Sequence, residues 1–438
     1  MRRVLMVTPH FPPDSSAASH RVRLLAPHLP AAGWRPTVVT VERTGYEGRL
    51  DPDLEALVPV SLDVVRAGAW PARWTRRIGL GDLGLRAFAG LGRACRACLA
   101  RERFDALFIT VYPVYPALLG PRLKAEFGVP FVLDYQDPWV GEWGRSVGGG
   151  ANGAPDWKSR ASRRLGCWLE PRVVRAADAL VAVSQGTIDG IVDRIPAASR
   201  VPHSVIPLGF EPCDFEQVRS RTPRVTAFTP DDGLVHLCYV GTVLPTGLET
   251  LELLLRGLAR ARAQDDGARR IRLHFFGTSN QSTADRMRVL PVASACGVAD
   301  IVTESPARLG YIDALSVLTL ASGILLLGSS EPHYTASKLY PALIAQRPLL
   351  ALFHADSSVV SILAAAAREP SVRVVVYRDD LLTDARIGEV ARHFVAIGRA
   401  QAFNSFDVSL DVDAARVDEW SARRLAGRLG ALLDRVAA

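Results

Sequence analysis

The chain opens with a short apolar run, Val4-Leu5-Met6-Val7-Thr8, which leads into the polar stretch Pro9-His10-Phe11-Pro12-Pro13-Asp14-Ser15-Ser16. An amphipathic segment follows, with Val22, Leu25 and Leu29 at helical spacing. A continuously apolar run indicates a strand that is covered on both faces, and a helix directly after it indicates a βα unit of a parallel sheet. The opening of the sequence therefore predicts an α/β fold.

The same order of apolar run, loop and helix recurs along the chain. Strands are predicted at residues 4–8, 36–41, 106–110, 129–135, 180–184, 204–207, 235–241, 270–277, 299–303, 323–328, 349–354 and 372–377. Prolines and the sequence Asp231-Asp232-Gly233 interrupt this order at residues 210–233. We predict two doubly wound Rossmann-like domains that face a cleft, at residues 1–212 and 213–415, followed by a C-terminal helix at 416–438.

Composition is that of an ordinary globular protein. The chain has 438 residues, of which 48% are hydrophobic and 22% charged, which excludes a disordered, collagen-like or coiled-coil chain. No apolar run is long enough to span a bilayer, and prolines follow the first apolar run too soon for a signal peptide. We therefore expect a cytoplasmic protein.

Positive charge is concentrated in one segment. Residues 66–103 hold nine arginines but only two acidic residues, together with Trp70 and Trp74. Basic and aromatic residues in amphipathic stretches favour contact with an anionic membrane surface or a phosphate-bearing ligand. A solvated helix face in an arginine-rich protein is an equally good interpretation. No motif indicates nucleic-acid binding.

The sequence contains no pattern that is typical of a metal site. The nine histidines have no ligand spacing, and the six cysteines include a single C-x-x-C pair, Cys95 and Cys98, within a helical pattern. Buried thiols on one helix face explain that pair better than zinc or redox chemistry.

Loops after predicted strands hold the candidate binding residues, since ligands of open α/β sheets lie at the carboxyl ends of strands. Asp14, Ser15 or Ser16 would cap the first helix, and the small residues there would let backbone N–H groups approach a phosphate. The loop lacks both the G-x-G-x-x-G and the G-x-x-x-x-G-K-[ST] patterns, which argues against a nicotinamide or flavin enzyme and a P-loop enzyme.

Two further strand ends carry polar residues. Asp134 and Asp137 leave a buried strand: one could orient a hydroxyl-rich ligand or accept a proton, and the other is expected to cap the turn or pair with an arginine. In the second half, Gly241 and Thr242 open an anion-compatible loop. Lys338 lies at a predicted helix start, where a cation is unfavourable unless an anion is also bound, although a solvent-exposed lysine is an equal alternative. Thr335 or Ser337 would cap that helix.

The order of these segments resembles the GT-B glycosyltransferases, and most closely their retaining family 4. The resemblance covers essentially the whole chain and rests on these stretches: Phe11-Pro12-Pro13-Asp14, Asp134-Tyr135-Gln136-Asp137-Pro138-Trp139, Ile206-Pro207-Leu208-Gly209-Phe210-Glu211, Tyr239-Val240-Gly241, Phe275-Phe276-Gly277, Ser337-Lys338-Leu339-Tyr340 and the closing helix from Trp420 to Val436.

The resemblance implies an enzyme that moves a sugar from a nucleotide-sugar donor to an acceptor hydroxyl with retention and without a metal. The leaving phosphate of such enzymes is thought to take the acceptor's proton. No cofactor is implied, because the nucleotide sugar is a co-substrate, and the acceptor would be a sugar, a lipid-linked molecule or a natural product. The implied catalytic residues are Asp137 and Lys338. Donor-binding residues would be Ser15, Ser16, Gly241, Thr242, Gly277, Glu331, His333, Thr335, Ser337 and Lys338, and the acceptor side would include His10, Tyr112, Asp134 and Asp137.

Three features depart from the family pattern. His333 and Pro341 stand where the family often has two glutamates, and Thr242 and Thr246 stand where it has a basic pair. The acceptor-side histidine that is common in the family would fall near Tyr112. The alternatives are a catalytically inactive accessory or binding protein of the same fold, and a sugar-nucleotide epimerase.

Overall fold

The computed structural model describes residues 1–140, 157–222, 224, 228–230, 232–279, 287–330, 336–400 and 410–438. These residues form two compact units: residues 1–208 with 422–438, and residues 209–421.

The first unit is built on a seven-stranded parallel sheet in the order β3-β2-β1-β4-β5-β6-β7. Its strands are β1 Arg2–Val7, β2 Trp34–Val41, β3 Asp63–Ala67, β4 Ala106–Thr110, β5 Phe131–Tyr135, β6 Ala179–Ala182 and β7 His203–Val205. Its helices are α1 Ser19–Leu25, α2 Pro52–Ala56, α3 Ala72–Thr75, α4 Leu83–Arg101, α5 Leu119–Phe127, α6 Trp157–Ala176 and α7 Gln185–Arg194, with α16 Ala422–Val436 from the C-terminus. Burial of β1, β4 and β5 on both faces accounts for their continuously apolar sequences.

The second unit has a six-stranded parallel sheet in the order β10-β9-β8-β11-β12-β13. Its strands are β8 Val235–Val240, β9 Ile271–Phe276, β10 Val302–Ser305, β11 Gly323–Leu327, β12 Leu349–His354 and β13 Val372–Tyr377. Its helices are α8 Pro212–Arg219, α9 Leu248–Gln264, α10 Leu290–Ala295, α11 Tyr311–Leu320, α12 Leu339–Ile344, α13 Ser358–Ala366, α14 Asp384–Arg399 and α15 Ala414–Asp418. Two doubly wound Rossmann-like sheets confirm the predicted fold class.

One strand escaped prediction from the sequence. β3 is an edge strand that pairs only with β2, and just one of its five residues is buried. It carries Asp63 and Arg66, so it has no continuously apolar run to reveal it.

The units divide at 208/209 and 421/422, whereas the predicted divisions were 212/213 and 415/416. The amide of Phe210 donates to the carbonyl of Trp420 at 3.2 Å, which joins both segments to the second unit. The C-terminal helix α16 lies in the first unit, where Leu425 and Leu429 are buried beside Val4 and Trp34. Gly430 allows this close packing, because a Cβ there would lie 2.6 Å from Cβ of Ala32.

Among the helices of the described ranges, none is both long and apolar enough to cross a membrane.

Candidate active site

The strand order of the second sheet places β8 beside β11, where the sheet changes direction. Connections that leave these two strands run to opposite faces, so their loops diverge and open a crevice at the carboxyl edge. The loop after β8 begins at Gly241 and the loop after β11 at Gly328. The two loops are joined by a hydrogen bond of 2.9 Å from the amide of Ser330 to the carbonyl of Thr246.

Lys338 reaches this crevice from the turn before α12. Its Nζ donates to the hydroxyl of Tyr239 and lies 4.1 Å from the centre of that ring. Gly241 has a φ of +136°, and a Cβ on it would approach Nζ to 3.2 Å. A glycine is therefore required at this position both for its backbone conformation and for the space that the lysine occupies.

The ammonium of Lys338 is held in an unusual electrostatic environment. Among the described residues, no carboxylate lies within ion-pair distance of Nζ. Burial lowers the pKa of Lys338 to about 7, because the charged form loses its hydration without gaining a counter-charge. A bound anion would restore the charge, and a diphosphate is the kind of ligand that could do so.

Backbone hydrogen bonds hold the loop after β8 beside the loop after β9. The amide of Gly241 donates to Phe276 at 2.8 Å, and the amide of Val243 donates to Thr278 at 3.0 Å. The Tyr239 hydroxyl donates to the carbonyl of Thr242 at 2.9 Å. The structure thus brings together four residues that the sequence placed on the donor side: Gly241, Thr242, Gly277 and Lys338.

Glu304 and Arg288 also shape this loop, and the sequence analysis missed them. The carboxylate of Glu304 accepts from Thr278 Oγ1 at 2.5 Å and from the amides of Arg288 and Val289 at 2.9 Å. Arg288 Nη1 donates to the carbonyl of Val243 at 2.5 Å. Glu304 contacts the start of a helix that precedes it in the chain, so no local capping pattern could have revealed it.

The remaining predicted donor residues divide into two groups. Glu331, His333 and Thr335 lie outside the described residues. Ser337 is described, but the N-cap of α12 is Lys338 and no side chain caps that helix, so the predicted cap by Ser337 is wrong. Pro341 is the third residue of α12, where a proline is tolerated.

A polar cluster lies at the carboxyl edge of the first sheet, where β1 and β4 are neighbours. His10 Nδ1 is 2.6 Å from Asp14 Oδ2, and the same oxygen accepts from Ser16 Oγ at 2.5 Å and from Ser19 Oγ at 2.9 Å. Burial raises the pKa of Asp14, but the hydrogen bonds and the charge of His10 outweigh it, so the net pKa is lowered. Asp14 is therefore an ionised acceptor for three donors.

The ring of His10 lies beside two tyrosines. Its centroid is 6.4 Å from that of Tyr46 and 5.7 Å from that of Tyr112. Tyr46 donates to the carbonyl of Pro9 at 3.0 Å, while Tyr112 is 42% exposed. Two predicted acceptor-side residues, His10 and Tyr112, thus lie together. Asp82, which the sequence analysis did not select, is close enough to His10 to feel its charge; burial raises the pKa of Asp82.

The first loop differs from its predicted role in capping. The N-cap of α1 is Ala18 and no side chain caps the helix. Asp14 and Ser16 bond within the cluster around His10 instead, and Ser15 Oγ donates to the carbonyl of Arg49 at 2.8 Å. The small residues of this loop serve a side-chain network within the first unit rather than a helix start.

Asp134 does not lie on an accessible surface, contrary to its predicted acceptor-side role. Asp134 and Arg21 are both fully buried, and Arg21 donates to the carboxylate at 2.6, 2.9 and 3.1 Å. Arg21 also donates to the carbonyl of Pro207 at 2.8 Å. Asp134 is thus the arginine-paired carboxylate of the two that the sequence presented. Asp137 is exposed in the bend after β5.

Metal-binding geometry is absent from the described part of the chain: it contains no group of three or more candidate ligands. Cys95 is buried and Cys98 is half-buried on α4, and burial raises the pKa of both thiols.

A cavity of about 670 Å³ opens near Asp105 and Pro130, at the amino ends of β4 and β5. It lies at the opposite edge of the sheet from His10 and is not the candidate site.

Comparison with known proteins agrees with this geometry. Residues 16–209 match the family described as the glycosyl transferase 4-like domain. Comparison with curated proteins gave no match.

Solved structures are similar over the whole chain. HepE of Anabaena, solved with UDP and glucose, has a TM-score of 0.60 at 12% identity and covers 99% of this chain and 100% of its own. A UDP-forming α,α-trehalose-phosphate synthase from Burkholderia xenovorans has a TM-score of 0.61 at 12% identity and covers 100% of both chains. A glycosyltransferase from Rickettsia africae has a TM-score of 0.58 at 12% identity and covers 99% of this chain and 98% of its own.

At this identity the structural similarity shows the fold alone, and the domain match concerns only residues 16–209, which are less than half of the chain. Residues 16–209 are thus similar to the glycosyl transferase 4-like domain, and the chain as a whole has the GT-B fold.

Proposed function

We propose that this protein transfers a sugar from a nucleoside-diphosphate sugar, bound by the second unit, to a hydroxyl of an acceptor bound by the first. The observation that carries the proposal is Lys338, whose ammonium has no carboxylate partner among the described residues and lies against Gly241 at the switch point of the second sheet. Among the structurally similar proteins, HepE was solved with UDP and glucose, and the trehalose-phosphate synthase is UDP-forming. A diphosphate donor suits the charge and position of Lys338.

The presence of a lysine instead of an arginine at position 338 supports a role in binding the diphosphate. The chain has only three lysines among its 52 basic residues. Arginine stays charged in any environment, whereas a lysine pKa responds to burial. A lysine at position 338 can therefore be only partly protonated near pH 7 in the free protein and fully charged beside a diphosphate. It would then stabilise the charge that develops as the sugar leaves.

A binding and turnover screen tests the proposal. The purified chain is titrated with nucleoside diphosphates and their sugars by calorimetry, and each bound sugar nucleotide is then incubated with candidate acceptors. Saturable binding and transfer to an acceptor are expected. Isomerisation of the donor without an acceptor would indicate an epimerase, and no binding across the panel would indicate an accessory protein.

Retention and independence of metal ions remain predictions from the family resemblance. We expect the anomeric configuration of the donor to be kept in the product, as read by NMR coupling constants. We also expect chelation with EDTA to leave the transfer rate unchanged. An inverted product, or loss of activity that Mg²⁺ restores, would contradict the respective prediction.

Nucleotide-sugar affinity is expected to depend on pH. Because the pKa of Lys338 is lowered to about 7, the free protein loses the ammonium proton as the pH rises through 7. Affinity should therefore be greatest below pH 7 and should fall by up to about tenfold per pH unit above it, with proton uptake on binding. Calorimetry with a nucleotide sugar measures this cleanly, since its diphosphate has no titrating proton in this range. Lys338→Arg should abolish the dependence, because arginine stays charged.

We also propose that residues 70–77 of the first unit contact an anionic membrane surface. Trp70 and Trp74 are 58% and 56% exposed, and the guanidinium groups of Arg73 and Arg77 lie 5.7 and 5.1 Å from the Trp74 ring. Several other arginines of residues 66–103 are engaged within the unit, including Arg66 with Glu55 and Arg76 with Glu47. The proposed membrane contact therefore includes fewer residues than the basic segment 66–103.

Vesicle sedimentation tests this contact. The protein is expected to bind vesicles that contain phosphatidylglycerol and to dissociate at high salt. Trp70→Ala with Trp74→Ala should weaken binding about tenfold, since exposed indole rings contribute to interfacial affinity. Equal binding to phosphatidylcholine vesicles, or no effect of the double substitution, would contradict it.

A further inference from the structure

Two buried histidines lie side by side on one face of the second sheet. His236 on β8 and His274 on β9 are each 4% exposed, and their ring centroids are 5.1 Å apart. They share this face with Cys238 and Phe276. Neither histidine belongs to the candidate donor site, which lies in the loops after these strands.

A chain of hydrogen bonds runs through the pair. His236 Nε2 is 3.0 Å from Asp232 Oδ1, and His236 Nδ1 is 2.9 Å from His274 Nε2. At the other end, His274 Nδ1 is 2.8 Å from Thr303 Oγ1 on the neighbouring strand β10. Desolvation raises the pKa of Asp232, but its hydrogen bonds to the amide of Leu234 and to His236 outweigh it, so the net pKa is lowered.

The proton positions follow from the ionised carboxylate at one end of the chain. Asp232 can only accept, so His236 Nε2 carries a proton. When both rings are neutral, His274 Nε2 donates to His236 Nδ1, and His274 Nδ1 accepts from the hydroxyl of Thr303. One added proton is accommodated, because His274 Nδ1 can then donate to Thr303 Oγ1 while the other hydrogen bonds are kept. A second added proton would place two N–H groups against each other across 2.9 Å.

Phe228 covers both rings. Its ring centroid is 4.7 Å from that of His236 and 5.0 Å from that of His274, and it stacks on each. Phe228 also packs against the apolar cluster that contains Cys238, which is fully buried, and Val317 of α11. Exposure of the Cys238 thiol therefore reports whether Phe228 remains in place.

The charges around the rings disfavour the second proton. The pKa of His274 is lowered to about 4, chiefly by desolvation and also by the charges of His236 and Arg272, which the charge of Asp232 offsets only in part. These are the charged groups that act on His274 among the described residues.

The other groups on this face carry no charge. Thr303 contributes a hydroxyl and Val317 an apolar side chain. Burial raises the pKa of the Cys238 thiol well above its ordinary value, so that thiol stays neutral. A pH response at this place therefore belongs to the histidine pair.

We infer that His236 and His274 form an acid-sensitive latch that holds Phe228 on the second sheet. With no added proton or with one, the chain of hydrogen bonds is complete and the latch is closed. The second proton removes the hydrogen bond between the rings, and the repulsion between the two imidazolium groups separates them and releases Phe228. The latch is distinct from sugar transfer and does not depend on the proposed function.

Acidification favours the released form. A released His274 has the ordinary pKa of 6.5, whereas the closed latch holds that pKa at about 4. The contribution of His274 to stability is therefore complete above pH 6.5 and is lost as the pH falls to about 4. Between these values, the equilibrium between closed and released forms should shift by about tenfold per pH unit.

The first test detects the hydrogen bond between the rings. The full chain is labelled with ¹⁵N-histidine, and the signals are assigned with His236→Gln and His274→Gln. At neutral pH we expect a scalar coupling across the hydrogen bond between His236 Nδ1 and His274 Nε2, and we expect acidification to remove it. Absence of the coupling at neutral pH would overturn the inference.

The second test measures release of Phe228 by labelling of Cys238. The full chain is pulsed with 4,4′-dithiodipyridine, each thiol is quantified by peptide mass mapping, and rates are normalised to the exposed Cys213. The normalised rate of Cys238 should rise by about tenfold per pH unit as the pH falls from 6.5 to about 4, while the far-UV circular dichroism stays unchanged. A thiol that stays protected, or that reacts only when the circular dichroism is lost, would contradict a latch.

Glutamine variants separate the latch from a general effect of acid. His236→Gln and His274→Gln each leave one titrating ring, and glutamine can both donate and accept, so the single added proton is accommodated. The acid-dependent rise in Cys238 labelling should disappear in both variants. His203→Gln, which replaces an exposed histidine on β7, is the matched control and should behave as the wild type. A wild-type pH dependence in either glutamine variant of the pair, or a Cys238 that both variants expose at neutral pH, would overturn the inference.

Discussion

Replacing Lys338 with alanine is expected to weaken nucleoside-diphosphate binding about 10- to 100-fold and to slow transfer about 10²- to 10³-fold. The expected loss of affinity corresponds to one charge-assisted hydrogen bond to a phosphate. The expected loss of rate is larger because the charge that develops as the diphosphate leaves is no longer stabilised. Thermal stability should hardly change, because burial already disfavours this ammonium, as its lowered pKa indicates. Calorimetry, steady-state rates and a melting curve measure the three quantities.

Two further variants sharpen this test. Lys338→Arg keeps the charge and should retain part of the affinity, although the larger guanidinium must fit against Gly241. Lys124→Ala removes another lysine, one that pairs with Asp178 at 2.7 Å in the first unit, and should leave nucleotide affinity unchanged. If Lys338→Ala lowered Tm and affinity together, Lys338 would be structural and the donor site would have to lie elsewhere.

The second large effect is on stability. Asp134→Asn or Arg21→Ala is expected to lower the free energy of unfolding of the first unit by about 3–5 kcal/mol, because each leaves an uncompensated charge in a fully buried site. Arg21→Ala also removes the donor to the Pro207 carbonyl. Differential scanning calorimetry should show the first unit melting earlier while nucleotide binding by the second unit persists.

An exposed pair serves as the control for this stability effect. Arg96 and Glu126 are 2.7 Å apart with side chains that are 42% and 43% exposed, so Arg96→Ala should cost at most about 1 kcal/mol. Had Asp134 been an acceptor-binding residue, as its place after a buried strand suggested, Asp134→Asn would lower transfer without lowering stability. That outcome would contradict the structural role assigned here.

Strand prediction succeeded where burial on both faces leaves a continuous local signal. β4, β12 and β13 have the predicted bounds, and each has an apolar run that any window of the sequence reveals. β3 was missed because an edge strand is half-exposed and needs no such run. The helix caps of α1 and α12 were mispredicted because serine and aspartate can bond to several kinds of partner, and only the tertiary structure selects one.

The candidate sites depend on contacts that no local pattern contains. Arg21 and Asp134 are 113 positions apart, and Tyr239 and Lys338 are 99 apart. From the sequence, either Asp134 or Asp137 could have been the carboxylate that pairs with an arginine. Only the position of the buried Arg21 beside Asp134 distinguishes the two. Glu304 and Arg288 gave no signal because they act on a loop that is distant in the chain.

Local sequence was thus sufficient for the α/β class, the alternation of strands with helices and the loops in which ligands bind, since apolar runs and polar strand ends are properties of neighbouring residues. The choice among the polar residues in those loops came only with the fold. Strand order brings β8 to β11 and β1 to β4, and these juxtapositions place Lys338 against Gly241 and Tyr112 beside His10. The charge, burial and protonation of a site depend on all the residues that surround it in space. In this protein most of those residues are distant in the sequence.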